Sequence, residues 1–182
     1  ALHNNLGNAY KKLGQLNDAL NSYSTGLRFN ADYIDLLNNL GVVLNDLDQL
    51  DDAVKSYKRA IDIKPDYAEA HNNLGVTYNK LGQLEKAVQS FEKALSIESD
   101  YADAFNNLGV ALKKLGQLDE AIESYNNALA INPHDADTHN NLGIVFYEQE
   151  RIDEAIYSYK KAIIIDPKFA GAFNNLGHAF CK

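Results

Sequence analysis

The chain has 182 residues, 46% of them apolar, and 25 acidic against 17 basic side chains give a formal charge of −8 and an isoelectric point near 5.0. That length can bury a core, and the excess of carboxylates argues against a phosphate-backbone partner, which needs a concentrated cationic footprint, so no nucleic-acid partner is expected, although a local basic strip is compatible with the composition. The longest aliphatic string, Ala162-Ile163-Ile164-Ile165, stops at Asp166, far short of the roughly 20 residues that cross a bilayer, and no membrane partner is expected.

Apolar residues return every three or four positions along the whole chain, the period of amphipathic helices. The string Asn-Asn-Leu-Gly begins at Asn4 and recurs at Asn38, Asn72, Asn106, Asn140 and Asn174, always 34 residues after the last. A fixed period of this size denotes stacked units rather than one globule. In chain order the units are 1–33, 34–67, 68–101, 102–135 and 136–169, each a helix pair, and then a first helix alone at 170–182.

Each unit begins with a helix that carries a glycine near its middle: Gly7, Gly41, Gly75, Gly109, Gly143 and Gly177. Such a residue costs about 1 kcal/mol relative to alanine, so a close helix approach should offset it, with Ala19, Ala53, Ala87, Ala121 and Ala155 facing the glycines. Gly14, Gly82 and Gly116 then supply the left-handed residue that ends the first helix. Asp48 and Glu150 stand at that place in two units, whose turns are expected to be strained or differently shaped.

The second helices open on acids such as Asp51-Asp52, Asp119-Glu120 and Asp153-Glu154, which suit a helix N-terminus. Leu16, Leu50, Leu84, Leu118 and Ile152, followed by Tyr23, Tyr57, Phe91, Tyr125 and Tyr159, should fill the seams between helices. Pro65, Pro133 and Pro167 stop three of these helices, with Ala31 and Ser99 in the same place elsewhere. Asp66 with Glu69, and Asp100 with Asp103, read as N-terminal caps with an acid in the first turn.

Catalytic chemistry is not visible. His3, His71 and His139 share one repeat position two units apart, on the order of 20 Å from each other at ordinary helix spacing, whereas metal ligands bond at about 2 Å. Phe105 and Phe173 occupy that place in other units, which points to packing. Neighbouring acids on a helix do not face one another. Cys181 is the single cysteine, with no histidine partner in view, so no nucleophile, metal or cofactor is expected. A lone cysteine fits a reducing compartment, and the cytoplasm is the expected location. Ala1 already lies inside a repeat, so the chain reads as an excerpt of a longer protein.

A 34-residue helix-turn-helix unit with these positions resembles the tetratricopeptide repeat along the entire chain. The resemblance implies one all-α array over 1–182, a right-handed superhelical solenoid of antiparallel helix pairs whose first helices line a concave groove for an extended peptide. It implies a non-enzymatic protein-protein interaction module. The second asparagine of each motif, Asn5, Asn39, Asn73, Asn107, Asn141 and Asn175, resembles the asparagine ladder in the groove of O-linked N-acetylglucosamine transferases. An amide offers a donor and an acceptor, so a column of them can hold peptide groups without reading side chains. One turn on come Val42, Val76, Val110 and Ile144, then Lys11, Lys12, Lys80, Lys113 and Lys114 at the rim, interrupted by Asp46 and Glu148.

Peptide-contacting residues are therefore expected at the six ladder asparagines with Val76, Val110, Lys80 and Lys114, and the ligand should be neutral to mildly acidic. Family members that clamp chaperone tails use cations where this chain has Asp35, Glu69, Asp103 and Asp137, so that role is disfavoured. Two other readings stand beside the first: the substrate-recruiting arm of a glycosyltransferase-like enzyme, and a self-assembling scaffold. Phe173, Leu176 and Phe180 keep an internal pattern in the last helix, which predicts end-to-end or helix-exchanged association.

Overall fold

The computed structural model describes residues 2–182, and Ala1 lies outside the described residues. Among the described residues there are eleven α-helices and no strand. The first unit, 1–98, contains α1 (Leu2–Lys12), α2 (Leu16–Phe29), α3 (Ile34–Asp46), α4 (Leu50–Ile63), α5 (Ala68–Lys80) and α6 (Leu84–Ile97). The second, 99–182, contains α7 (Ala102–Lys114), α8 (Leu118–Ile131), α9 (Ala136–Glu148), α10 (Ile152–Ile165) and α11 (Ala170–Phe180). Within each unit an odd-numbered helix packs on the even-numbered helix that follows it, and that helix packs on the next odd one. Odd helices also touch one another, α1 with α3 with α5 and α7 with α9 with α11. This is the all-α solenoid of antiparallel helix pairs that the repeat implies.

What lies over the mid-helix glycines is an aromatic ring, not the alanine expected from the sequence. A Cβ on Gly7 would sit 2.2 Å from the Tyr23 ring, and one on Gly41, Gly75, Gly109 or Gly143 would sit 2.6 Å from Tyr57, Phe91, Tyr125 or Tyr159. Each ring is buried, 0–2% exposed, so the missing methyl is the space that admits it. The alanines Ala19, Ala53, Ala87, Ala121 and Ala155 are fully buried beside these rings in the same helices. In the first unit Ala19, Tyr23, Leu36 and Val43 form one core cluster, and Leu37, Ala60 and Ala70 form another.

The turns inside the pairs are alike, so of the two alternatives expected for Asp48 and Glu150 it is strain, not a different shape, that the structure shows. Gly14, Gly82 and Gly116 have φ of 73°, 71° and 77°, and Asp48 and Glu150 adopt 60° and 61°. The amide of the following residue reaches back to the carbonyl five positions earlier in all five, as in Gln15 N to Tyr10 O at 2.9 Å and Arg151 N to Phe146 O at 2.9 Å. That bond closes the helix end and holds Asp48 and Glu150 in the left-handed region although they carry a Cβ. Glu150→Gly should therefore raise stability by about 1 kcal/mol, and Asp48→Gly by less because Asp tolerates this region better. Urea denaturation midpoints of the two variants check the order.

The acidic caps are corrected as well. Tyr67 and Tyr101, not Asp66 and Asp100, precede the first helical residues, and neither makes a side-chain cap. The acids Asp35, Glu69, Asp103 and Asp137 lie in the first turn, where they complement the helix dipole. Between successive repeats within a unit the bend is held instead by Asx turns: Asn30, Asn132 and Asp166 each accept the backbone amide two residues on, at 3.2, 3.3 and 2.9 Å. The second helices end at the residue before these positions whether Pro65, Pro133 and Pro167 follow or Ala31 and Ser99 do. A buried serine recurs one place before each aromatic ring; Ser22, Ser56, Ser90 and Ser158 donate to the carbonyl four residues back.

Candidate functional site

The odd helices of each unit lie side by side, and their motif asparagines are linked across the seam. Asn39 Nδ2 donates to Asn4 Oδ1 at 2.9 Å and Asn73 Nδ2 to Asn38 Oδ1 at 3.1 Å; in the second unit Asn141 donates to Asn106 at 3.2 Å and Asn175 to Asn140 at 2.9 Å. The ladder residue of one repeat is thus tied to the first asparagine of the repeat before it. Asn38, 1% exposed, then donates to Glu69 Oε1 at 3.0 Å, so its amide is satisfied on both sides. Asn39, Asn73, Asn107, Asn141 and Asn175 are half-buried and Asn5 is exposed. The tie consumes one N–H of Asn73, Asn141 and Asn175, whose carbonyl oxygen and second N–H remain for another partner, whereas Asn39 Nδ2 also donates to Asn8 Oδ1 at 3.4 Å and keeps only its carbonyl oxygen.

In the first unit a recess of 150 Å³ opens between α3 and α5, lined by Val42, Asn45, Asp46, Asn73, Val76 and Lys80, with Tyr57 of α4 beneath. Three predicted residues, Asn73, Val76 and Lys80, therefore share one site. Lys80 donates to the side-chain and backbone oxygens of Asn45, and Asn45 Nδ2 donates to Thr77 Oγ1 at 2.6 Å. Thr77 Oγ1 in turn donates to the Asn73 carbonyl at 2.9 Å, so this wall is a connected network and Lys80 is held in place. The corresponding recess of the second unit, 390 Å³, is lined by Ile144, Tyr147, Glu148, Tyr159, Asn175 and His178. Asn5, Asn39, Asn107, Asn141, Val110 and Lys114 line neither recess.

Tyr57 and Tyr159 were legible only as core residues, yet their edges reach these recesses. Burial first, then the Asp46 and Glu69 carboxylates, pushes the Tyr57 hydroxyl well above the ordinary phenol range. Burial, with Tyr147 and Glu148, pushes Tyr159 up to about 12. Both phenols are neutral in the folded chain. Because the folded values exceed the unfolded one, their contribution is present below about pH 10 and is lost as the pH climbs through the folded values. Tyr23 donates to Asn8 Oδ1 at 2.6 Å, but Val110 occupies the corresponding place over Tyr125, whose buried hydroxyl has no partner among the described residues. An orphaned buried hydroxyl costs about 1–3 kcal/mol, so Tyr125→Phe should be neutral or stabilising; Phe91 shows that the site accepts the smaller ring. Thermal melts of the single variant check it.

The histidines pack and bond to the turns before them. His71, 8% exposed, places Nε2 at 3.0 Å from the Pro65 carbonyl; His139 repeats this with Pro133 at 3.1 Å, and His3 stacks on Phe29. Among the described residues no group of three or more His, Cys, Asp or Glu could hold a metal ion, and no helix is long and apolar enough to cross a membrane.

The TPR-repeat family model matches residues 7–48, 43–82, 77–116, 111–150 and 145–182. Among solved structures the chain is similar to MamA, with 26% identity over 91% of this chain and 96% of that one and a TM-score of 0.80. TTC0263, a TPR protein of Thermus thermophilus, is 24% identical over 99% of this chain and 98% of its own, with a TM-score of 0.81. YrrB, described as a TPR protein with an unusual peptide-binding site, is 23% identical over 94% and 89%, with a TM-score of 0.75. No curated protein is matched significantly. With repeat units matched from residue 7 to residue 182 and helix pairs of the same architecture, the chain belongs to the tetratricopeptide-repeat family.

Proposed function

We propose that this chain is a non-catalytic interaction module that holds extended polypeptide along the face the odd helices form within each unit, with the ladder asparagines gripping peptide groups. The observation that carries this reading is the ladder's geometry: Asn73, Asn141 and Asn175 are each fixed by one hydrogen bond to the preceding repeat and keep an acceptor and a donor for a ligand, while Asn39 keeps its acceptor. Prior fixing lowers the entropy lost on binding. Val76 and Val110 supply apolar contacts between the amides, and Lys80 and Lys114 stand at the rim with Lys11, Lys12 and Lys113. Asp46 and Glu148 offset part of that charge, so the ligand is neutral to mildly acidic. The similarity to YrrB, a protein described by its peptide-binding site, supports the same use of the fold.

The test selects peptides from an unstructured library on the immobilised chain and titrates the best of them at low and high salt. Binding through neutral amides should change by less than about threefold between 50 and 500 mM salt, since screening acts on charges. Loss of binding at high salt would reject amide recognition in favour of the lysines.

Association of the chain with itself is a second reading, favoured by Phe173 and Phe180 of α11, 50% and 62% exposed, and by the open space over Gly177. Phe173→Glu with Phe180→Glu should then abolish any concentration dependence in sedimentation velocity; an unchanged profile assigns the contact elsewhere.

A further inference from the structure

The five even helices are internal controls for one another, because each must do the same packing work. On α10 two exposed positions break the pattern. Tyr157, 63% exposed, stands where the other repeats have Asn21, Lys55, Gln89 and Glu123. Ile164, 74% exposed, stands where they have Arg28, Asp62, Ser96 and Ala130. Four repeats pack without a large apolar side chain at either place, so neither is required by the solenoid. The two lie seven residues apart on one helix face.

They border two adjoining recesses on the side of the second unit away from the ladder. The first, 420 Å³, has Leu142 and Phe146 of α9 as its floor, Leu129 of α8 on one wall, and Asp153, Glu154 and Tyr157 of α10 on the other. The second, 340 Å³, continues along α10 to Lys161, Ile164 and Ile165, with Pro133 and His134 opposite. His139 and Tyr157 line both. From Asp153 to Ile165 the groove runs about 18 Å, the length of some twelve helical residues.

Charge is distributed along it with one polarity. Asp153 and Glu154 lie at the start of α10, and Glu154 is paired with Arg151, while Asp153 makes no ion pair among the described residues. Lys161 lies towards the other end, its ammonium 5.4 Å from the centre of the Tyr157 ring. We propose that this groove is a second docking site, distinct from the ladder face, for an amphipathic helix of a partner protein. Its apolar stripe at i, i+3 and i+7 meets Ile164, Tyr157 and Phe146 in turn; its acidic first turn lies beside Lys161 and its basic last turn beside Asp153. That order is the one a helix dipole favours, and it sets the incoming helix antiparallel to α10, so that the two dipoles also attract.

The test uses the full chain and two labelled synthetic peptides of about fourteen residues. One carries glutamates in the first turn, leucines at i, i+3 and i+7, and lysines in the last turn; the other exchanges the glutamates and lysines. Fluorescence anisotropy should show the first bound at least about tenfold more tightly than the second. Tyr157→Lys combined with Ile164→Asp should weaken it at least about tenfold, as expected for loss of two central anchors. Both replacements are the residues of the second repeat, Lys55 and Asp62, so the helix should fold as before, and circular dichroism verifies that. Asn73→Ala should leave this binding unchanged. The proposal is overturned if neither peptide binds, if both bind equally, or if the double variant binds like the parent. It is also overturned if sedimentation shows the parent self-associating and the double variant monomeric, which would make a second copy the occupant.

Discussion

Gly109→Ala should lower the stability of the chain by about 2 kcal/mol, although alanine is the better helix former. Alanine in a helix interior gains about 1 kcal/mol over glycine. Against this, the new Cβ would lie 2.6 Å from the Tyr125 ring, a contact no packed pair tolerates, and overpacking of a core costs about 1–3 kcal/mol or more. The ring is fully buried and has no room to retreat, so the upper part of that range applies. Gly41, Gly75 and Gly143 should behave alike, since their rings stand at the same distance. Gly177 is the control: nothing lies within 4 Å of its added Cβ, and Gly177→Ala should raise stability by about 1 kcal/mol. In a chain of this length a loss of 2 kcal/mol lowers Tm by roughly 4–8 °C. Equal Tm shifts at Gly109 and Gly177 would show that the ring contact does not decide the choice of glycine.

Replacing Asn73, Asn107 and Asn141 together with alanine should weaken a selected extended peptide by roughly 30-fold to 1000-fold. Each amide can give two hydrogen bonds to peptide groups, and a typical bond contributes about 0.5–1.5 kcal/mol net. Six such bonds, discounted for exposure and replacement by water, come to about 2–4 kcal/mol, with tenfold in affinity for each 1.4 kcal/mol. The structure adds a stability effect. Asn73 and Asn141 also donate to Asn38 and Asn106, and Asn38 is buried, so the variant should melt several degrees lower. Titration of folded protein below its transition separates the two effects. Unchanged affinity in the folded triple variant would leave the ladder with its inter-repeat ties alone.

The repeat pitch was fully legible, because a 34-residue period with helical apolar spacing leaves little choice of fold. The partner of each glycine was not. Ala19 and Tyr23 lie on the same second helix, and spacing alone does not show which of them reaches Gly7. Asp66 looked like a cap because acids favour helix starts, but the chain bends one residue later and Tyr67 holds that position. At the site, the register of the ladder could be read, whereas its pairing with the preceding repeat depends on how far adjacent odd helices are offset, which no sequence pattern encodes. Asn45 and Thr77 escaped notice because their hydrogen bond joins neighbouring repeats through positions that change from one repeat to the next.

The pairing of glycine with ring is completed inside each repeat, and the asparagine tie joins neighbours through the same two residues wherever it occurs. The two contacts together make the repeats interchangeable parts. Duplicating or deleting one whole 34-residue segment within a unit leaves every ring with its glycine and presents each asparagine with an identical neighbour, so the length of such an array can change by single genetic steps that preserve both contacts, and only repeat-specific ones such as Asn45 with Thr77 must be remade.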